Sequence, residues 1–203
     1  MQERAKVTRR SLVEAAAQLF AEQGYAATSV NDIGTRSGRT SGAVYFHYTG
    51  KEGIAVAVVE DRFATWSQLA ARYGDETVPP LERLVSLSYE IAHALARDPV
   101  TRAGARLWAE RTIIKAPVPD PFALWTVAAT RLLAQARLAG QVNERVRPAR
   151  TARALVRAFF GLCTLTDALE GATVLDDRLT DWWHLTLPAL RPQRSRGNVP
   201  AAR

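Results

Sequence analysis

Residues 28–51 of this 203-residue chain read TSVNDIGTRSGRTSGAVYFHYTGK and contain the clearest signals of its architecture. Ser29 and Asp32 have the spacing of a capping box, in which the hydroxyl and the carboxylate each accept a hydrogen bond from an unpaired helix amide. The pair predicts a short helix that Gly38 ends in a left-handed turn, and Thr40 can cap a third helix. Two helices of about eight residues around such a turn indicate a helix-turn-helix, whose second helix enters the major groove of DNA.

The second of these helices is predicted to have an inward and an outward side. Val44 and Tyr48 are four residues apart and are expected to face the core, whereas Ser41 and Tyr45 share the opposite side. On that outward side, Ser41 and Gly42 permit close approach to the bases, and Tyr45 can reach a phosphate oxygen. A position for Tyr45 in the core is the alternative that the pattern leaves open.

Two further side chains are candidates for phosphate contact. His47 can reach a phosphate from the end of the third helix, or it can cap that end instead. Lys51 lies in the first turn of the next helix, where free amides and an ammonium group together favour a phosphate. That long helix, capped at Thr49 or Gly50, is predicted to continue to about residue 73.

The rest of the chain predicts a succession of helices with no convincing strand, and therefore an all-α fold. A first helix from about Thr8 to Gln23 is expected to stop at Gly24. The later helices are expected at about 80–98, over about 15 residues from Pro99, and at about 122–139, 149–170 and 177–190.

Composition excludes several classes of protein. The chain is 47% hydrophobic and 23% charged, as in globular domains, and has no run of about 20 apolar residues that could cross a membrane. The single Cys163 excludes an internal disulfide, so a cytoplasmic location is expected. No motif typical of a nucleophile, a metalloprotease, a dinucleotide or a phosphate loop is present, and we expect neither enzyme activity, nor a metal, nor a cofactor.

The positive charge is distributed away from the helix-turn-helix. The formal net charge is +7, yet residues 1–53 carry seven basic and five acidic side chains, whereas residues 131–157 carry seven basic and one acidic. Net charge by itself therefore points only weakly to nucleic acid. We interpret the arginine-rich stretch 131–157 as solvated helix faces.

The helix-turn-helix resembles the signature of the TetR family of bacterial transcription regulators. The residues that carry the resemblance are Thr40, Gly42, Tyr45, His47, Tyr48, Lys51 and Glu52. The resemblance covers residues 15–59 and departs from the family at Ser41, where many relatives have lysine, and at Gly50, where serine or asparagine is usual. The DNA-binding residues assigned in this way are Thr28, Thr40, Ser41, Gly42, Tyr45, His47 and Lys51.

The same resemblance implies a homodimer that binds an inverted repeat of double-stranded DNA and is released by a small-molecule inducer. The predicted organisation is a DNA-binding domain at 1–50, a connecting helix at 51–73, a helical ligand-binding and dimerisation domain at 74–190, and a disordered tail at 191–203. The last two long helices are expected to form the dimer interface.

Residues 119–125, PDPFALW, and residues 130–133, TRLL, are similar to the region around the pocket tryptophan of γ-butyrolactone receptors, a TetR subgroup of streptomycetes. This resemblance implies that Trp125 covers a small lactone- or furan-type signal in an apolar pocket. The other candidate ligand-binding residues are Tyr89, Trp108, Thr164 and Thr166. An ordinary place in the helical core is the alternative for each of them. A regulator without a ligand and, last, an enzyme are the alternative functions.

Overall fold

The computed structural model describes residues 2–72, 77–120 and 122–192. This part of the chain forms nine α-helices and no strand, and the predicted all-α fold is confirmed. The helices are α1 (Gln2–Ala27), α2 (Val30–Ser37), α3 (Ser41–Tyr48), α4 (Lys51–Arg72), α5 (Pro80–Arg97), α6 (Pro99–Ala109), α7 (Ala123–Leu138), α8 (Pro148–Leu169) and α9 (Leu175–Leu190). Short 3-10 turns lie at Arg111–Ile113 and Ala172–Val174. Of the predicted tail at 191–203, the part from residue 193 onward lies outside the described residues.

Two helices differ from the predictions. The first helix begins at Gln2 rather than at Thr8. Its regular part ends at Gly24 as predicted, where φ is 83° and ψ is 176°, and a short second segment then continues to Ala27. The sixth helix has 11 residues rather than about 15, because the chain leaves the α-helical path after Ala109 and enters a 3-10 turn.

Contacts between residues divide the chain into two compact units. The first contains Met1–Asp75 with Glu90–Trp125, and the second contains Glu76–Tyr89 with Thr126–Arg203. This division differs from the predicted boundary at residues 50 and 73, because α6 packs against α1 and α4. Its residues Ala103 and Leu107 are fully buried in the same core as the helix-turn-helix.

The core of the first unit draws at least one large side chain from each of its first four helices. Leu12 and Phe20 of α1, Ile33 of α2, Val44 of α3 and Ile54 of α4 are all fully buried. Burial of each such side chain stabilises the fold by about 1.5–3 kcal/mol. This packing fixes α3 on the surface of the unit with one side turned inward.

The close contact between α3 and α4 depends on Gly53. A β-carbon at this position would overlap the carbonyl oxygen of Tyr48, the last residue of α3. Because a main-chain carbonyl cannot rotate away as a side chain can, only glycine lets the first turn of α4 lie against the end of α3.

The second unit is held together by polar contacts as well as by its apolar core. The indole Nε1 of Trp183 donates a hydrogen bond to the Ser88 hydroxyl over 2.8 Å. The buried Arg83 donates from Nη2 to Oε1 of Gln135 over 3.0 Å. The side-chain amide of Asn143 donates to the carbonyl of Ala189 over 2.9 Å and thereby closes the end of α9. No helix in the described part of the chain is long and apolar enough to cross a membrane.

Candidate nucleic-acid interface

The start and end of α2 are fixed by its own sequence. Ser29 Oγ accepts a hydrogen bond from the Asp32 amide over 3.1 Å, and Asp32 Oδ2 accepts one from the Ser29 amide over 2.9 Å. The predicted capping box is therefore confirmed. Bonds from the hydroxyl and the amide of Ser29 hold the pKa of the Asp32 carboxyl below its usual value. Gly38 ends the helix with a left-handed φ of 66°, and the chain then turns into α3.

The inward side of α3 is the one that its spacing predicts. Val44 is fully buried, and Tyr48 is 8% exposed with its hydroxyl donating to the Arg9 carbonyl over 3.0 Å. On the outward side Gly42 is exposed, and Tyr45 is 60% exposed. The alternative of a core position for Tyr45 is therefore wrong. Ser41 is half-buried at the start of the helix.

Phe46 is a candidate DNA-contacting residue that the sequence analysis missed. Its ring is 83% exposed and lies edge-on to the His47 ring, with 4.9 Å between the ring centroids. The sequence spacing could have indicated this exposed position. Phe46 lies two positions from both Val44 and Tyr48, and such a residue is on the opposite side of the helix from the core. An apolar ring on this outward side can contact thymine methyl groups or sugars of DNA.

Thr40 occupies the predicted cap position, but it does not cap. Its backbone has the extended conformation of an N-cap residue, yet its hydroxyl makes no hydrogen bond to the amides of α3. The residue is exposed, so the hydroxyl faces solvent next to Ser41 and Gly42. His47 is half-buried near the other end of the helix, where Thr49 is the C-cap residue.

The assignment of Thr28 as a DNA-binding residue is wrong. Its side chain is only 2% exposed, and its hydroxyl donates to the Gly24 carbonyl over 2.7 Å. A buried hydroxyl engaged in this way cannot reach a phosphate. Thr28 instead stabilises the turn between α1 and α2. This role depends on the break at Gly24, because the Gly24 carbonyl accepts the hydrogen bond from the Thr28 hydroxyl.

Lys51 lies at the start of α4, next to this turn. Its ammonium is 4.2 Å from the centroid of the Tyr25 ring and donates to the Ala26 carbonyl over 3.4 Å. Burial, together with the neighbouring Glu52 carboxylate, raises the pKa of the Tyr25 phenol to about 12. The Tyr25 phenol is uncharged at neutral pH, and the face of its ring attracts the Lys51 ammonium.

The candidate ligand-binding residues are divided between the two units. In the first, Trp125 is 7% exposed, and half-buried Trp108 contacts Phe122 edge-on with 5.1 Å between centroids. In the second, the Tyr89 hydroxyl lies 2.7 Å from that of Thr180.

The two threonines of α8 lie on different sides of that helix. Thr166 is 4% exposed, whereas Thr164 is exposed to solvent. Residues two apart on a helix point in nearly opposite directions, so the two hydroxyls cannot line one cavity. Only Thr166 has the inward position that was expected of both. Among the described residues, no group of three or more His, Cys, Asp or Glu side chains is placed to hold a metal ion.

Two protein-family models match this chain, one in its N-terminal part and one in its C-terminal part. The model for bacterial regulatory proteins of the tetR family matches residues 12–58, and that for the tetracyclin repressor-like C-terminal domain matches residues 78–192. The chain belongs to the tetR family. These descriptions are of regulatory proteins rather than enzymes, in agreement with the lack of a catalytic motif.

Individual members of the tetR family show how far the similarity extends. The A-factor receptor protein of Streptomyces griseus is 31% identical over 189 residues, which cover 93% of this chain and 66% of that protein. A solved gamma-butyrolactone receptor, described as ArpA-like, is 30% identical with a TM-score of 0.75, covering 94% of this chain and 90% of the other. The CprB protein of Streptomyces coelicolor, solved in complex with its biological operator sequence, is 31% identical with a TM-score of 0.75, covering 94% and 91%.

This tetR-family chain spans just under two-thirds of the length of the A-factor receptor protein. Its similarity to the solved receptors extends over nearly all of both chains. The resemblance to the γ-butyrolactone receptor subgroup is therefore confirmed for the fold of both domains.

Proposed function

We propose that this protein is a transcriptional repressor that binds an inverted-repeat operator as a homodimer and is released by a small signal molecule. The observation that carries the proposal is the outward side of α3, where Gly42, Tyr45 and Phe46 are exposed while Val44 and Tyr48 hold the helix in the core. The proposed contact residues are Thr40, Ser41, Gly42, Tyr45, Phe46, His47 and Lys51.

The proposed contact residues fall into two groups, one that approaches the bases and one that binds phosphates. Exposed Gly42, with half-buried Ser41 beside it, brings the backbone of α3 close to the bases, whereas Tyr45, His47 and Lys51 supply donors for phosphate oxygens. Ser41 discriminates poorly among bases because its hydroxyl both donates and accepts. Sequence preference therefore rests on the few groups at the start of α3 and on Phe46.

The dimer interface is proposed on α8 and α9. Three leucines are exposed on these helices, with 60% exposure for Leu165, 78% for Leu169 and 79% for Leu185. Several large apolar side chains exposed on two packed helices are the kind of surface that a partner can cover. In a dimer that reads two half-sites, the two α3 helices lie about 34–36 Å apart, one turn of DNA.

The proposed signal is a γ-butyrolactone- or furan-like molecule. The names of the A-factor receptor protein and of the gamma-butyrolactone receptor support this class, and Trp125 is the residue proposed to cover it. Ligand and operator favour different conformers, so each weakens binding of the other by the same factor. The cytoplasm, where chromosomal DNA lies in a bacterium, is the proposed location.

Footprinting on the promoters of the protein's own and adjacent genes, with and without A-factor, tests this function. We expect protection of an inverted repeat that A-factor or a related γ-butyrolactone removes. Protection that no such lactone affects would favour the regulator without a ligand. Consumption of the lactone, followed by mass spectrometry, would instead favour an enzyme.

Trp125→Ala tests the pocket assignment separately. The variant is expected to bind the operator normally and to lose release by the lactone, because Trp125 belongs to α7 and not to the helix-turn-helix. Trp183→Phe, which removes the buried bond to Ser88, is the control for a general disturbance of the helical body. Normal release from Trp125→Ala would contradict the assignment.

A further inference from the structure

The break in α1 leaves backbone groups that the helix itself cannot pair. At Gly24 the backbone turns to φ 83° and ψ 176°, so the helix before it ends and a short second segment begins at Tyr25. The last carbonyls of the first segment and the first amides of the second therefore need partners from elsewhere. Helix α6, more than 80 residues further along the chain, supplies them.

Arg106 and Glu110 of α6 pair with both sides of the break. The Arg106 Nη1 donates to the carbonyls of Ala21 over 3.0 Å and Glu22 over 3.3 Å. The Glu110 Oε2 accepts the Tyr25 amide over 2.7 Å. Arg106 Nε and Glu110 Oε1 are also bonded to each other over 3.0 Å. We refer to these two side chains as the Arg106–Glu110 clasp.

The charge of Arg106 matches the end of the first helical segment. Its guanidinium lies at the carbonyl end of that segment, where the helix dipole is negative, and the Glu110 carboxylate accepts the hydrogen bond of the free Tyr25 amide. Both side chains are half-buried, so water screens these interactions less than at an open surface.

The absence of a side chain at residue 24 makes the clasp possible. A β-carbon on Gly24 would lie 2.7 Å from Glu110 Oε1 and 2.8 Å from Arg106 Nη2. The left-handed φ alone would favour glycine, but these distances show that the two side chains occupy the space that any other residue would fill.

The segment held by the clasp supports the DNA-facing lysine. Tyr25, whose amide is bound by Glu110, carries the ring over which Lys51 lies, and Ala26 accepts the hydrogen bond from the Lys51 ammonium. A continuous set of contacts thus joins α6 to the start of α4 within the first unit.

We propose that Arg106 and Glu110 are positioning residues for DNA binding: the clasp fixes the break in α1 and, through Tyr25, holds Lys51 where it meets a phosphate. The proposal rests on the proposed operator binding. It makes the DNA affinity depend on the position of α6, a helix outside the helix-turn-helix.

A double-mutant cycle in the full-length protein tests the proposal, with the footprinted operator fragment as the probe. Glu110→Gln removes the charge of the clasp, and we expect it to weaken operator binding about tenfold and to lower the salt slope by up to about one. In a Lys51→Ala background the same change is expected to have no further effect, because its consequence passes through Lys51.

A control variant separates positioning from general stability. Glu22→Gln removes the Arg36 ion pair on the same segment of α1 and leaves the clasp, which uses only the Glu22 carbonyl. It is expected to change operator affinity less than twofold. If Glu110→Gln does not fold, Arg106→Lys serves in its place, since lysine keeps the charge but cannot make all three bonds.

The outcomes are distinct. Failure of the unmodified protein to bind any promoter fragment would overturn the proposed function itself. With normal binding by the unmodified protein, an equal loss from Glu110→Gln in both backgrounds would overturn the positioning role. A Lys51→Ala variant with unchanged affinity would also overturn it.

Discussion

Lys51 and Tyr25 form the contact that connects the end of the first helix to the start of the fourth. The ammonium lies 4.2 Å from the ring centroid. The phenol is neutral at neutral pH, and burial and Glu52 raise its pKa further, to about 12. A half-buried cation held against the face of a neutral ring is suited to bind a phosphate.

The first prediction concerns phosphate contacts. Tyr45→Phe combined with Lys51→Ala is expected to weaken binding to all DNA sequences, because phosphates carry no sequence information. The slope of log affinity against log salt should fall by about one, because Lys51 is charged and its contact releases a counterion, whereas the Tyr45 hydroxyl is neutral. Fluorescence titration at several salt concentrations measures the slope.

Arg150→Ala is the matched control for that experiment. It removes an equal charge from an exposed position on α8, within the arginine-rich stretch that we interpret as a solvated face. An unchanged slope is expected. A loss of slope as large as that from Lys51→Ala would show that α8 contributes phosphate contacts.

The second prediction concerns Phe46. Because its ring is 83% exposed, Phe46→Ala should leave the unfolding free energy within about 0.5 kcal/mol of the original. Operator affinity should nevertheless fall about tenfold, through loss of apolar contacts in the groove. Replacing operator thymines by uracil, one at a time, identifies the methyl group involved.

Leu138→Ala provides the comparison for Phe46→Ala, since Leu138 is 90% exposed at the end of α7. It should alter neither stability nor DNA affinity. If Phe46→Ala also left operator affinity unchanged, the Phe46 ring would have no part in DNA binding.

The third prediction contrasts two helix glycines. Gly53→Ala should destabilise the fold by about 3 kcal/mol or more, because the new methyl group overlaps the Tyr48 carbonyl. Gly42→Ala should stabilise it by about 0.5–1 kcal/mol, because its β-carbon meets only the Thr40 hydroxyl at 3.6 Å. Urea unfolding measures both changes.

The same Gly42→Ala variant is expected to bind the operator less well although it is more stable. The added methyl group holds the backbone of α3 away from the bases. Equal or tighter binding would exclude the close approach that we propose at Gly42.

The fourth prediction concerns the thiol of Cys163, which is 5% exposed and whose pKa burial raises to about 12. In the unfolded chain the thiol has its ordinary pKa of about 8.5. The unfolded state therefore loses its proton first, and this group lowers stability as the pH rises from about 8.5 to about 12.

At pH 8 a thiol reagent such as Ellman's reagent should react with Cys163 only after unfolding by urea. Cys163→Ala should remove part of the alkaline loss of stability. Rapid reaction of the folded protein would show that the thiol is accessible and contradict its placement inside the second unit.

The local features of the helix-turn-helix could be predicted from the amino-acid sequence. The capping box of Ser29 and Asp32, the turn at Gly38 and the inward side of α3 follow from hydrogen bonds and periodicities that span at most eight residues. Such interactions form between neighbours along the chain, so the pattern of residues contains all that is needed to predict them.

Features that depend on distant residues could not be predicted from the sequence and became visible in the folded chain. Thr28 is buried by the turn after the break in α1, and Thr164 and Thr166 lie on different sides of α8. Glu110 meets Tyr25 across 85 positions of sequence. No local pattern encodes such a meeting, because it arises from the packing of whole helices in one core, and that packing places the Arg106–Glu110 clasp on the break at Gly24.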